Sequence, residues 1–285
     1  MRIAVTGTSG RVGAALALHF SAAHEVICLP RKIFDLADPR AMSAVLGRLD
    51  CDVMLNPAGI TSLEACEDDR ALAMRVNAEA PAEMEHWARQ TATRLVHFST
   101  DYVFDGIHPC LKHETDSPHP LSVYGTSKLA GERAVLAGPA ALVVRVSWVF
   151  GPEKPSFVDQ IYAAALAGNN LSAIADKFSL PTATADLGPA VAALLAHDCH
   201  GLYHFCQSGD PTSWHGMARI IVDEMVESGK ISVAPEIEAL TLAEVSSFRA
   251  TRPRFTAMDT TKFTRTTAKT PRGWQDAIRE YVRSC

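Results

Sequence analysis

The sequence lacks the features that mark fibrous, disordered and membrane proteins. Only 17 glycines and 16 prolines occur among 285 residues, and no repeat or low-complexity segment is present, which excludes collagen-like and disordered chains. No stretch approaches the ~18 consecutive apolar residues of a membrane-spanning helix. The N-terminal apolar run ends at Gly7, too early for the core of a signal peptide. We therefore expect a cytoplasmic protein with no membrane partner.

Paired cysteines are lacking as well. The seven cysteines are scattered, without a C-x-x-C pair, so we do not expect a disulfide framework. Two short histidine and cysteine clusters lack the paired spacing of a structural zinc site, and we expect no required metal. The first cluster comprises His108, Cys110 and His113, and the second His197, Cys199 and His200.

The chain has no strong excess of charge of either sign. It carries 27 Lys and Arg against 32 Asp and Glu, a net charge of −5, which argues against a protein that binds nucleic acid electrostatically. Apolar residues make up 47% of the chain, ample for a core in one large domain or two of ordinary size. A small molecule is the expected partner.

Short β-branched runs alternate with longer helical patterns in the first half of the chain. This alternation predicts βαβ units around a parallel sheet that is buried on both faces. Pro81 predicts a kink or a new first turn within one helix. The expected strands are 3–6, 26–29, 53–55, 95–98 and 142–146, and the expected helices are 12–21, 39–49, 70–91 and 124–137.

The character of the sequence changes after Gly151. Helical patterns at 157–167, 185–196 and 214–227 are separated by polar loops. We therefore expect a nucleotide-binding domain at 1–150 and a smaller, mostly helical substrate-binding lobe at 151–285. A short strand is expected at 202–206, free to pair with the first sheet, and the Thr-rich and Lys-rich segment 260–270 is predicted to be a surface loop.

A glycine-rich turn follows the first strand and opens the first helix, with the spacing G-x-x-G-x-x-G. Its first glycine permits a tight turn, its second lets the backbone approach a pyrophosphate, and its third allows close helix–sheet packing. N–H groups at the helix start would face phosphates. The pattern predicts a Rossmann-type, doubly wound α/β fold, although a glycine turn without a ligand is the alternative. The expected dinucleotide contacts are Gly7, Ser9, Gly10, Arg11, Val12 and Gly13.

Two cations stand at the end of the second strand, where a dinucleotide fold places the adenosine ribose. An acidic residue there would bind a free 2′-hydroxyl, but this chain has Arg31 and Lys32. A planar fork of donors and a point charge suit a 2′-phosphate. We therefore expect NADPH as the cofactor; NADH, or an exposed basic pair without a ligand, are the alternatives.

The most specific chemical pattern is Tyr-x-x-x-Lys. Tyr124 and Lys128 share one helix face because they stand four residues apart. The ammonium and an oxidised nicotinamide are expected to lower the pKa of the phenol toward neutrality. Such a phenol can protonate a carbonyl oxygen as hydride reaches its carbon. Thr100, at the end of the fourth strand, would give that oxygen a second hydrogen bond.

These motifs resemble the extended short-chain dehydrogenase/reductases, and the resemblance covers nearly the whole chain. Tyr-x-x-x-Lys alone indicates only the superfamily. The run from Thr100 to Gly106, followed by Trp148, is more discriminating and is similar to the dTDP-4-dehydrorhamnose reductase family. Further matches are Asn56-Pro57-Ala58-Gly59, Val76-Asn77-Ala78, Phe178-Ser179-Leu180-Pro181-Thr182, Gly201-Leu202-Tyr203-His204 and Arg252-Pro253.

The resemblance implies a role for each matched residue. Tyr124 would donate the proton, Lys128 would bind the nicotinamide ribose, and Thr100 would orient the carbonyl. Ordinary packing in a cleft between the two parts is the alternative for the aromatic residues. The implied cofactor contacts are Asp35, Leu36, Ala58 and Gly59, and the implied substrate contacts are Thr61, Asp101, Tyr102 and Trp148.

The implied reaction is the NADPH-dependent reduction of the C4 keto group of a 4-keto-6-deoxysugar nucleotide, from dTDP-4-dehydrorhamnose to dTDP-rhamnose. Related dehydratases carry an acidic residue directly after Thr-Asp, where this chain has Tyr102, so dehydration is disfavoured. Pro57, Ser122 and Ser179 depart from the resembled pattern, which leaves open a reductase or epimerase for another sugar nucleotide. A non-catalytic regulatory subunit of the same fold is the other alternative. The resemblance also allows a homodimer.

Overall fold

Strands and helices alternate along the chain in the computed structural model, which describes residues 1–285. The strands are β1 (Arg2–Thr6), β2 (Glu25–Leu29), β3 (Val53–Asn56), β4 (Arg94–Thr100), β5 (Leu142–Val146), β6 (Val149–Phe150), β7 (Leu171–Ile174), β8 (Phe178–Ser179), β9 (Thr182–Ala183), β10 (Gly201–His204), β11 (Thr212–Ser213) and β12 (Ile237–Leu240). The helices are α1 (Arg11–Ser21), α2 (Pro39–Leu46), α3 (Leu63–Asp68), α4 (Arg70–Met74), α5 (Ala80–Thr91), α6 (Val123–Leu136), α7 (Phe157–Leu166), α8 (Thr184–Ala196), α9 (Trp214–Glu227), α10 (Thr261–Thr267) and α11 (Trp274–Ser284).

Six strands form the central sheet, in the order β10-β5-β4-β3-β1-β2. Every neighbouring pair is parallel, which confirms the predicted Rossmann-type architecture. The expected strand near 202–206 does return to this sheet, because β10 pairs with β5 and places Leu202 beside Val143. The strand order reverses between β1 and β3, and ligands of such sheets bind at the carboxyl ends of the strands at that point.

Both faces of the sheet are covered by helices. Successive strand residues point to opposite faces, so Ile3 joins a core with Leu16 of α1 and Leu187 of α8. Ala4 joins the opposite core with Met84 of α5. The second part of the chain therefore contributes α8 and β10 to the layers of the first sheet, while the division at residue 150 stays a prediction.

A third core lies in the second part of the chain. It is built from helices α7, α9 and α11, represented by Ile161, Ile221 and Ile278. Val103 and Phe104, from the segment directly after β4, are buried in the same core. The segment that follows β4 is thus fixed between the two parts of the protein. No helix combines the length and apolar character needed to cross a bilayer.

The structure differs from two local predictions. Residues 260–270 are not a surface loop: α10 forms there because Phe263, only 1% exposed, packs on Phe205 with ring centroids 5.1 Å apart. The expected helix 70–91 is interrupted by a π-helical turn at Arg75–Glu79. Helix α5 then begins at Ala80 with Pro81 in its first turn, which confirms the new first turn predicted from that proline.

Candidate functional site

A cavity of about 680 Å³ lies at the carboxyl ends of β1, β3, β4 and β5. Its volume is within the ~300–1,000 Å³ that is usual for ligand sites. Of the residues predicted from the sequence, only Lys32 does not line it, because its side chain is exposed outside the cavity. The residues brought together are Gly7, Ser9, Gly10, Arg11, Val12, Gly13, Arg31, Asp35, Leu36, Ala58, Gly59, Thr61, Thr100, Asp101, Tyr102, Tyr124, Lys128 and Trp148.

The glycine turn has the backbone that a pyrophosphate site requires. Gly7 has φ +59°, a conformation that favours glycine, and its carbonyl accepts from the Gly10 N–H at 2.8 Å. A Cβ on Gly13 would lie 2.3 Å from the Gly7 oxygen. No side chain caps the start of α1, so the N–H groups of its first turn are left for an anion. The turn fits a dinucleotide.

The Arg11 side chain closes one side of the cavity. Its guanidinium donates to the carbonyl oxygens of Val149 at 2.9 Å, Lys154 at 3.0 Å and Pro155 at 2.6 Å. These bonds tie the start of α1 to β6 and to the segment that follows it. The side chain is therefore committed to protein carbonyls, and the backbone N–H of Arg11 is the group that remains for a cofactor.

The basic pair after β2 is divided by the fold. Arg31 lines the cavity with a side chain that is 77% exposed, and its Nε lies 3.6 Å from the Asp35 Oδ1. Lys32 is exposed and does not line the cavity. The adenosine end of the cavity thus presents one guanidinium, held by a neighbouring carboxylate, rather than two cations.

The Tyr124 phenol is placed by a capped helix start. The Ser122 hydroxyl accepts a hydrogen bond from the Gly125 N–H at 3.1 Å, which fixes the first turn of α6. The ring of Tyr124 then meets that of Tyr102 edge-on, with centroids 5.7 Å apart. Ser122, one of the departures from the resembled pattern, therefore serves as an ordinary helix cap.

Burial dominates the electrostatics around Tyr124. Burial raises the pKa of the phenol, a hydrogen bond with Thr100 works in the opposite direction, and the Asp101 carboxylate raises it further. In the protein alone, desolvation therefore outweighs the other effects on this pKa, and the lowering toward neutrality beside an oxidised nicotinamide stays a prediction. A phenol that stays protonated at neutral pH is the form that donates a proton.

Lys128 lies one turn further along α6 and is also buried. Its Nζ donates to the Phe98 carbonyl oxygen at 2.6 Å and lies 3.4 Å from the His97 Nε2. Burial lowers the pKa of this lysine to about 8. A Cβ added to Gly59 would lie 3.9 Å from the same Nζ. The ammonium is thus held at the end of β4, beside the wall that Gly59 forms.

The end of the cavity assigned to a sugar contains an unusual tryptophan. Trp148 has φ +43°, which is rare for a bulky residue and tends to mark functional sites. Its indole Nε1 is buried without a hydrogen-bond partner. Next to it, the Thr100 hydroxyl donates to the Asp101 Oδ1 at 3.1 Å and accepts from the Tyr102 N–H at 3.2 Å. Thr61 is exposed on the rim.

Comparisons with known proteins agree with this geometry. The family described as "RmlD substrate binding domain" matches residues 1–285. The chain belongs to the RmlD family. A dTDP-4-dehydrorhamnose reductase of Aggregatibacter actinomycetemcomitans is 31% identical over 288 residues, 98% of this chain and 97% of the relative.

Two further proteins show the range of similarity around this RmlD-family chain. A probable dTDP-4,6-dihydroxy-2-methyloxan-3-one 4-ketoreductase of Streptomyces antibioticus is 31% identical over 286 residues, 98% of this chain and 94% of the relative. The crystal structure of a dTDP-4-dehydrorhamnose reductase from Bacillus anthracis in complex with NADP has a TM-score of 0.91 at 23% identity, covering 100% of this chain and 99% of that one. The latter similarity concerns the fold.

A buried polar network beneath Lys128 was not predicted from the sequence. The Thr6 hydroxyl donates to the Asn56 Oδ1 at 2.7 Å, and the Asn56 Nδ2 lies 3.1 Å from the His97 Nδ1. Burial and the Lys128 ammonium lower the pKa of His97 well below its ordinary value, so the imidazole stays neutral. Polar residues at the ends of otherwise apolar strands were the available signal.

Asn77 is a second residue whose role the sequence did not reveal. It lies in the π-helical turn, where its Oδ1 accepts from the Ile60 N–H at 2.9 Å. Its Nδ2 donates to the Ile60 oxygen and to the Ser127 hydroxyl, each at 3.0 Å. Asn77 thereby holds the loop that carries Ala58 and Gly59 against α6. No group of three or more His, Cys, Asp or Glu side chains is arranged to hold a metal ion.

Proposed function

We propose that this RmlD-family protein reduces the C4 keto group of a 4-keto-6-deoxysugar nucleotide with NADPH, converting dTDP-4-dehydrorhamnose to dTDP-rhamnose. The observation that carries the proposal is the meeting of Thr100, Tyr124 and Lys128 in the cavity that also holds the glycine turn. The A. actinomycetemcomitans relative, matched over nearly its whole length, is named for that reaction and supports the choice of substrate.

The cofactor would lie along one wall of the cavity. The glycine turn would hold its pyrophosphate, Asp35 and Leu36 would flank its adenine, and Ala58 and Gly59 would line its path toward Lys128. When bound, the nicotinamide supplies the hydride. The NADP complex of the B. anthracis reductase supports this choice of cofactor.

The protein's own side chains would handle the proton. Tyr124, kept protonated by its burial, would donate to the carbonyl oxygen as negative charge develops there. Thr100 would fix the position of that oxygen beside the phenol, and the Lys128 ammonium would hold the nicotinamide ribose. Tyr102 and Trp148 would pack on the apolar face of the sugar.

Replacing Tyr124 tests the role assigned to the phenol. We expect Tyr124→Phe to lower kcat by roughly 10²–10⁴-fold, because only the proton donor is removed, with the dissociation constant for NADPH nearly unchanged. The rate is followed by NADPH oxidation in the presence of dTDP-4-dehydrorhamnose. Tyr162→Phe is the matched control, since Tyr162 lies outside the cavity. A Tyr124→Phe variant with the wild-type rate would show that Tyr124 is not the proton donor.

A different sugar nucleotide is the second candidate substrate. Ser179, a departure from the resembled pattern, donates to the Asp101 Oδ2 at 3.2 Å, directly behind the expected sugar site. The S. antibioticus relative is named for the 4-keto reduction of another dTDP-sugar. A panel of 4-keto sugar nucleotides compared by kcat/KM decides between substrates. Absence of turnover with every member would favour a regulatory subunit instead.

Arg31 is the residue of this chain that would favour NADPH over NADH. We expect kcat/KM to be higher with NADPH than with NADH. Arg31→Ala should lower the NADPH value by about tenfold, about 1.4 kcal/mol, which is just below the ~1.5–3 kcal/mol of a hydrogen bond to a charged group because the Arg31 side chain is 77% exposed. Lys32→Ala is the matched control, because Lys32 lies outside the cavity. Equal values for the two cofactors in the wild type would contradict the preference.

A homodimer and a cytoplasmic location also stay predictions.

A further inference from the structure

Lys177 is a buried lysine behind the sugar end of the cavity, and it has no part in the mechanism above. It is 0% exposed and immediately precedes β8. Its Nζ lies 4.7 Å from the ring centroid of Tyr102 and 5.7 Å from that of Trp148. The same Nζ donates one hydrogen bond, to the Pro253 carbonyl oxygen at 2.8 Å. A buried cation needs more compensation than one carbonyl provides.

Asp101 supplies that compensation. Its carboxylate is also buried, 1% exposed, and the opposite charges of Asp101 and Lys177 act on each other's pKa. Three hydroxyl groups donate to it: that of Thr100 at Oδ1, and those of Ser179 and Thr256 at Oδ2. The carboxylate therefore joins Lys177 on one side to Thr100, which lines the cavity, on the other.

Two segments of the second part of the chain build this arrangement. Residues 177–179 are extended, so Lys177 and Ser179 point to the same side. The segment is held against residues 254–256, because the Phe178 N–H donates to the Arg254 oxygen at 2.6 Å and the Thr256 N–H donates to the Phe178 oxygen at 2.9 Å. The pairing directs Ser179 and Thr256 at Asp101 and places Lys177 on the same side of the segment as Ser179.

We propose that Lys177 is a positioning residue for the sugar end of the site: its ammonium fixes the rings of Tyr102 and Trp148 and stabilises the negative charge of the Asp101 carboxylate. While no substrate is bound, the Asp101 carboxylate accepts the Thr100 hydroxyl hydrogen and so fixes Thr100 beside Tyr124, from where the same hydroxyl turns to the carbonyl oxygen of a bound substrate. Cation–ring contacts and the attraction between opposite charges are both strengthened in such buried surroundings. The inference rests on the proposed function only for its kinetic readout; the titration of Asp101 can be followed without substrate.

Lys177 is the positive group that faces Asp101. Burial raises the pKa of the Asp101 carboxyl, and the Lys177 ammonium acts against that rise. Removing the ammonium must therefore raise the pKa of Asp101 further, and the carboxylate is then lost at higher pH. Three other ionisable groups are near Asp101: Tyr102, Tyr124 and Cys206. All three stay neutral because burial raises their pKa values. The Arg252 charge acts on Lys177 and lowers the pKa of that lysine.

Charge at position 177 is tested with Lys177→Met, Lys177→Gln and Lys177→Arg. Gln keeps a donor for the Pro253 oxygen, and Arg keeps the positive charge. Lys112→Met is the matched control: Lys112 is also buried, but its Nζ contacts the Cys110 sulfur away from the cavity. For each variant, circular dichroism first checks that the protein is folded. The pH dependence of kcat/KM then gives its acid limb, the fall in activity at low pH, and NMR follows the titration of the Asp101 carboxyl group.

We expect both neutral variants to move the acid limb and the Asp101 titration upward by about one to three pH units, the usual effect of a nearby opposite charge. Lys177→Arg should restore the wild-type profile at least in part, and Lys112→Met should not move it. Lys177→Gln with an unshifted Asp101 titration would overturn the proposal. If the wild type reduces none of the sugar nucleotides, the proposed function fails, but the titration still decides the role of Lys177.

Discussion

Adding one methyl group at each of two neighbouring glycines should separate the packing role of the glycine turn from its binding role. A Cβ on Gly13 would lie 2.3 Å from the Gly7 oxygen, 2.6 Å from the Gly7 carbonyl carbon and 2.8 Å from the Thr6 oxygen. All three are backbone atoms, and ordinary contact begins near 3.4 Å. The turn must therefore move by roughly 1 Å, which costs about 1–3 kcal/mol for an overpacked site.

Gly10 offers the matched comparison. Its Cβ would meet only the Gly7 oxygen, at 3.2 Å, and its backbone angles, φ −100° and ψ 165°, suit alanine. We expect Gly10→Ala to change the free energy of unfolding by no more than about 0.5 kcal/mol. Its methyl group would nevertheless stand where a pyrophosphate approaches, so NADPH affinity should fall by tenfold or more, about 1.4 kcal/mol.

Urea unfolding without cofactor and NADPH titration by calorimetry give the two quantities for each variant. Gly13→Ala should lose about 1–3 kcal/mol of the free energy of unfolding, which lowers the urea midpoint. Gly10→Ala should lose affinity and keep its stability. A Gly13→Ala protein as stable as the wild type, or a Gly10→Ala protein with wild-type affinity, would refute the reading of this turn.

Two further predictions concern stability. Burial, aided by the Arg145 charge, lowers the pKa of His204 to about 3 from 6.5. The unfolded chain therefore takes up this proton first, and stability should fall as the pH drops from about 6.5 toward 3, by up to ~1.4 kcal/mol per pH unit; urea unfolding at several pH values that shows no such slope would contradict it. Phe263→Ala should cost about 3–5 kcal/mol, whereas Ile107→Ala, at a 67% exposed position, should stay within ~0.5 kcal/mol. Similar urea midpoints for the two variants would contradict the burial of Phe263 and favour the predicted surface loop at residues 260–270.

The features that the sequence predicts well are local in the chain. Gly7, Gly10 and Gly13 act within one turn of backbone, and Tyr124 and Lys128 share a helix face through their fixed spacing. The alternation of apolar strands and helices similarly determines the parallel sheet. In each case neighbouring residues decide the geometry, so a pattern of spacings carries enough information.

The features that escape prediction depend on segments far apart in the chain. Ser179 and Thr256 reach Asp101 from 78 and 155 residues away, and nothing in their local sequences points to that carboxylate. The burial that raises the Tyr124 pKa in the protein alone is likewise not reported by the spacing of residues. Phe263 is a single apolar anchor among threonines and lysines, so composition hides the helix around it.

Transfer of an isotope label tests the proposed reaction most directly. The protein is incubated with dTDP-4-dehydrorhamnose and NADPH carrying deuterium at the reactive nicotinamide position, and the product is examined by NMR and mass spectrometry. A 4-keto reductase must deliver the deuterium to C4 of the sugar, yielding labelled dTDP-rhamnose with the wild type and almost none with Tyr124→Phe. Oxidation of NADPH without deuterium at C4, or no product at all, would contradict the proposed function.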